Sequence, residues 1–80
     1  MSNQERNNLK NKKAFGSSLK AIRESKGMSQ LDLASESSLE KTSISRIENG
    51  RTNITLTTAI RLSLALDIEL QELFDFEVIA

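Results

Sequence analysis

Lys41, Thr42, Ser45 and Arg46 bring donors and acceptors to one stretch of chain at spacings of one, three and four residues, and on a helix this spacing gathers them on one side. Lys41 and Arg46 are long cationic donors suited to O6 and N7 of guanine. Thr42 can donate, accept, or set its methyl against thymine, and Ser45 is short and needs close approach. Ile44 and Ile47 recur at i, i+3 on the same stretch and face the opposite way. The helix therefore has one side for anchoring and one for reading base edges. Ser43, Asn49, Arg51 and Asn53 surround its end and are suited to phosphate contacts, which set register and salt dependence but read no sequence.

Those side chains need a frame. Residues 27–51 read as two short helices joined by a tight turn, the layout that sets a second helix in a DNA major groove. Ser29 caps the first of the pair, about Gln30–Ser37, with Asp32 three residues on as its capping-box partner. Leu33 and Ala34 turn inward, Ser37-Ser38-Leu39 forms the break, and Leu39 plugs the core. The second helix runs from near Glu40 to about Asn49 and stops at Asn49-Gly50. Before the pair, about Lys13–Lys26 makes a first helix on the stripe Phe15, Leu19, Ile22, stopped by Gly27 in the left-handed conformation. After it, Thr55 caps a fourth helix, about Leu56–Leu66, which Asp67 breaks. A fifth, about Glu69–Phe74, precedes an apolar tail of Phe76, Val78 and Ile79. Residues 1–12 are polar without a period and read as a flexible arm. The expected fold is all-α, a compact five-helix bundle over residues 13–80.

Composition removes other classes. The 80 residues make one small domain, and the absence of Cys and His takes away the usual nucleophile–base pairs, disulfides and nearly all transition-metal sites. No cofactor and no small-molecule ligand is expected. No apolar run approaches the ~20 residues of a membrane span and no signal peptide opens the chain, so the expected location is cytoplasmic. Net charge is zero but unevenly spread. Residues 1–27 carry Arg6, Lys10, Lys12, Lys13, Lys20, Arg23 and Lys26 against Glu5 and Glu24, whereas residues 52–80 carry Arg61 against Asp67, Glu69, Glu72, Asp75 and Glu77. The basic part can face phosphates while the acidic part faces away.

From about Phe15 to Phe74 the chain resembles the helix-turn-helix domain of phage repressors and Cro, the xenobiotic-response-element class. The likeness rests on Ile22-Arg23-Glu24, Lys26-Gly27-Met28-Ser29-Gln30, Leu33-Ala34, Ile44-Ser45-Arg46-Ile47-Glu48-Asn49-Gly50 and Leu56, in order and at the right spacing. The loop Asn53-Ile54-Thr55-Leu56 looks like the version in controller proteins of restriction–modification systems. This resemblance implies a lambda-repressor-like fold and a transcriptional regulator binding double-stranded DNA. It implies that Gln30 clamps a phosphate and supports the recognition helix, and that Arg23 and Glu48 form an internal ion pair joining the first helix to the end of the third, with Arg23 near a phosphate. The chain departs from the family at Ser38 and Asp67, where Gly is usual, at Ile54, where Pro is common, and at Glu69, where Ser or Thr is usual.

Ile60, Leu64, Leu70, Phe74 and Phe76 exceed what one small core can hold, so they are the expected interface of a homodimer built on the last helix and the outer side of the fourth. Such a dimer would bind a pseudo-palindromic operator. RNA polymerase is a further candidate partner. A phage-type repressor or an antitoxin repressing its own operon is the alternative within this class. A protein-interaction adaptor on the same fold is the alternative outside it, and an enzyme is disfavoured because no paired carboxylates fall in an expected cleft.

Overall fold

The computed structural model describes residues 1–80. Its elements are α1 (Asn3–Ser25), α2 (Gln30–Ser37), α3 (Lys41–Glu48), α4 (Leu56–Leu66) and a 3-10 helix, Leu70–Phe74, with no strand. The expected five-helix bundle is thus four α-helices and a single tighter turn. Leu70–Phe74 spans only five residues, a length at which the tighter 3-10 form is common.

The largest departure lies at the start. The stretch expected as a flexible arm over 1–12 is helical from Asn3. The Ser2 hydroxyl accepts from the Glu5 amide at 3.1 Å, and the Glu5 carboxylate accepts from the Ser2 amide at 3.4 Å. This capping box supplies partners for amides that otherwise have none. The far end of the chain lies alongside. The Asn11 side chain donates to the Ile79 carbonyl and accepts from the Ile79 amide, both at 2.8 Å, and Asn7 donates to the Ala80 carbonyl at 2.6 Å.

The core joins Phe15 and Leu19 of α1, Leu33 and Ala34 of α2, Ile44 and Ile47 of α3, Leu62 and Leu66 of α4, and Leu73. Leu39 packs on its rim rather than in its centre, as do Ile22, Met28 and Ile68.

All four α-helices stop in the same way. A left-handed residue (Gly27, Ser38, Gly50 or Asp67) follows each helix. The next amide then reaches back five residues: Met28 to Arg23, Leu39 to Ala34, Arg51 to Arg46, Ile68 to Ser63, at 2.9–3.1 Å. That bond satisfies a carbonyl the helix leaves free. At α1, α2 and α4 the returning residue is also apolar and packs on the core. This explains how Ser38 and Asp67 hold φ of 59° and 54°, a conformation costing a non-glycine residue roughly 1–2 kcal/mol.

Gly16 fixes the distance between α1 and α3. It is buried inside α1 against the end of α3, and a Cβ there would lie 2.5 Å from the Glu48 carbonyl oxygen. That neighbour is backbone and cannot rotate away. Gly16→Ala should therefore push α3 off α1 and destabilise the protein by ~1–3 kcal/mol. In a domain of this size that lowers Tm by roughly 4–8 °C per kcal/mol. A thermal melt followed by circular dichroism checks it, and an unchanged Tm would mean that the two helices do not approach this closely.

Candidate nucleic-acid interface

The local sequence of α3 makes it short, exposed on one side and tied down at its end. Ile44 and Ile47 are buried, while Lys41, Thr42 and Arg46 are exposed and Ser45 is half-buried on the same side. Unlike α1, α2 and α4, this helix has no side-chain cap, because Glu40 makes no hydrogen bond to its first amides. The Thr42 hydroxyl lies 3.5 Å from a Glu40 carboxylate oxygen. Asn49 donates back to the Ser45 carbonyl at 2.8 Å, so its amide group is already placed along the reading side.

Ser43 is half-buried. With Arg46 it borders a cleft between α3 and the segment Thr52–Thr55, lined also by Asn53. Arg51 and Asn53 are exposed. Arg51 follows the left-handed Gly50, the position that the other three helix stops fill with a core-packing apolar residue. An exposed cation here forgoes that packing.

Behind α3 stands a buried charge cluster. The Arg23 Nε donates to Glu48 Oε2 at 2.7 Å and Nη2 donates to Oε1 at 3.1 Å, a two-pronged pair between α1 and the last residue of α3. Nη1 donates to the Met28 carbonyl at 2.7 Å, in the link between α1 and α2. The Gln30 amide donates to Glu48 Oε1 at 3.0 Å, from the first residue of α2. Arg23 and Glu48 are 7% and 8% exposed, so little of the guanidinium is left for a phosphate. Its hydrogen bond to Glu48 outweighs burial and holds the Arg23 pKa above its ordinary value, so the charge persists. Gln30, expected at a phosphate, is half-buried with its amide nitrogen turned inward to Glu48.

At the start of α2, the Ser29 amide donates to the Asp32 carboxylate at 2.9 Å, and the Asp32 amide donates to the Ser29 hydroxyl at 3.0 Å. The backbone and hydroxyl donors of Ser29 hold the Asp32 pKa below the ordinary carboxylate value.

The five residues expected at a dimer interface divide. Ile60 and Leu64 lie on the outer side of α4 with Leu56, at 40%, 74% and 69% exposure. Leu70 and Phe76 are half-buried against the core. Phe74 folds over Phe15, ring centres 5.1 Å apart, and neighbours Phe76 at 6.5 Å, yet keeps an exposed edge. Sequence reasoning missed Gly16, the Ser2–Glu5 cap and the Asn7 and Asn11 bonds to the tail. Only the cap carries a local signal, a Ser followed three residues later by Glu.

The helix-turn-helix family profile matches residues 19–73. The chain is 41% identical over 61 residues to the control protein C.MunI of a Mycoplasma species, covering 75% of this chain and 82% of that protein. It is 42% identical over 66 residues to the control protein C.BamHI of Bacillus amyloliquefaciens, covering 81% and 82%. Its fold is similar to the crystal structure of the restriction–modification controller protein C.AhdI from Aeromonas hydrophila, with a TM-score of 0.75 and 41% identity over 76% of this chain and 92% of that one.

The buried pair generates a test. Removing one partner strands the other charge, which typically costs ~3–5 kcal/mol. Glu48→Ala should lower the Tm sharply, and Glu48→Gln, which keeps an acceptor for Arg23 and Gln30 but loses the charge, should lower it less. Equal melting temperatures for wild type and Glu48→Ala would reduce the pair to a surface contact.

Proposed function

The chain belongs to the helix-turn-helix family and, within it, to the restriction–modification controller proteins, and from that membership we infer that it is a dimeric, sequence-specific DNA-binding transcriptional regulator. The observation that carries this reading is the two-sided α3: Ile44 and Ile47 buried, Lys41, Thr42 and Arg46 exposed. In this reading α3 enters the major groove. Lys41, Thr42, Ser45 and Arg46 contact base edges, while Ser43, Asn49, Arg51, Asn53 and the start of α2 at Gln30 meet phosphates. The Arg23–Glu48 pair sets the angle at which α3 is offered.

A second copy completes the site. The exposed Leu56, Ile60 and Leu64 recur at four-residue intervals along α4, a stripe suited to a self-complementary contact about a two-fold axis. Two α3 helices in such a dimer lie roughly 34 Å apart, one turn of DNA, so the operator is a pseudo-palindrome with half-sites about 10 bp apart. The same surface arrangement serves repression or activation, according to where the operator lies. RNA polymerase is a partner in the second case.

Selection of bound sequences from a random duplex pool tests the core of this reading. A recurrent pseudo-palindrome is expected, and recovery of no preferred sequence would sink it. On the selected operator, Arg46→Ala should cost ~1–3 kcal/mol and relax preference at one position. Arg51→Ala should weaken all sequences about equally and flatten the salt dependence by about one unit of slope. Should Arg46→Ala weaken specific and random DNA alike, Arg46 anchors phosphate instead.

Dimerisation is tested separately. Leu64→Glu sets a charge in the middle of the α4 stripe and should shift the protein to monomer in sedimentation, cutting operator affinity far more than non-specific affinity. A wild type that sediments as a monomer at micromolar concentration while binding one half-site tightly would remove the dimer from the reading.

A further inference from the structure

The helical start of α1 is outside the stretch matched by the family profile, which begins at residue 19, and the roles given to α3 leave it unused. Arg6, Lys10 and Lys13 recur on it at i, i+4 and i+7, and all three are exposed. That spacing places them on one side of a helix. Glu5 is the sole acidic residue among the first 23. On a different side of the same helix, Asn7 and Asn11 bind the backbone of Ile79 and Ala80. The tail thus covers one flank and leaves the cationic side open.

This side adjoins the proposed interface. A Cβ on Gly50 would lie 2.9 Å from the Lys13 backbone, so α1 passes directly over the stop of α3. Leu9, Lys12 and Lys13 share one concavity with Asn49, Gly50 and Arg51. From Lys13 to Asn3 the helix extends about 15 Å further, the rise of about four base pairs along the DNA axis.

We propose that the N-terminal half of α1 is a second phosphate-contacting surface, on which Arg6, Lys10 and Lys13 grip the duplex flanking the sequence read by α3. The proposal rests on the DNA-binding reading and adds a flank to it. Lys13 and Arg51 form the junction between the two surfaces. The contact is to backbone, because cations on an exposed helix face outside the groove meet phosphates and not base edges. It therefore lengthens the footprint without changing the preferred sequence.

The experiment compares the selected operator trimmed to its own ends with the same operator carrying about one helical turn of arbitrary duplex on each side. Affinities are measured across a salt series for the wild type and for Arg6→Gln/Lys10→Gln/Lys13→Gln. The wild type should prefer the flanked duplex by on the order of ten-fold at low salt. The triple variant should lose that preference, with a slope on flanked duplex shallower by about two to three units, and lose less affinity on the trimmed duplex than on the flanked one. Equal affinity and slope for the two proteins on flanked duplex overturns the proposal. So does an equal loss on both duplexes, which would assign these residues to the operator itself. If the triple variant melts early, Arg6→Gln/Lys10→Gln, clear of the Gly50 contact, is read in its place against the same outcomes. Tight, sequence-selective binding to the trimmed duplex with no response to flanks leaves the regulator reading standing and removes only this surface.

Discussion

Taking two opposite charges out of water costs several kcal/mol per ion unless each finds its partners, and Arg23 and Glu48 find theirs in only one arrangement of the chain. The guanidinium fork meets both carboxylate oxygens, its remaining end takes the Met28 carbonyl, and Gln30 supplies a further donor to Glu48. Those contacts involve α1, the link to α2, the first residue of α2 and the last residue of α3. A different angle between α2 and α3 would leave at least one buried polar group without a partner, and none is so left. Apolar packing of Ile44 and Ile47 makes α3 stick to the body. The charge cluster decides where on the body it sits.

The distribution of charge on the surface follows from the same frame. Because α1 crosses the stop of α3 at Gly50, Lys12 and Lys13 are brought beside Arg51. Five of the eleven acidic residues come after α4 begins, against one basic residue, Arg61. A chain with formal net charge zero can in this way present a local field of one sign, which is the quantity a polyanion senses.

Much of this was legible in the sequence where short-range chemistry decides structure. Ser29 with Asp32, Thr55, and the glycines at 27 and 50 mark helix ends through bonds spanning a few residues, and the bounds of α2 and α4 coincide with their expected ones. What escaped were features whose partner is distant in sequence. Nothing near Gly16 indicates that the backbone of residues 47 and 48 will press against it. Nothing near Asn11 indicates that the chain end, 68 residues on, will meet its side chain. The start of α1 lacks an apolar stripe and so reads as an arm, yet a capping box and two asparagines bound to the tail stand where apolar contacts usually do. Leu70 and Phe76, counted in the sequence as surplus apolar residues, pack against the core where the last turn tightens to a 3-10 helix.

Gly16 has a consequence for how such a protein changes over generations. A helix pressed backbone to backbone on its neighbour cannot be tilted or slid by small substitutions, because any side chain at the notch collides with the Glu48 carbonyl. Under the proposed function, new operator specificity is then acquired by exchanging the outward residues of α3 one at a time, on a mount that stays put. Divergence becomes a matter of lettering rather than of re-aiming: descendants would share an unchanged angle of approach to DNA and differ in what they read there.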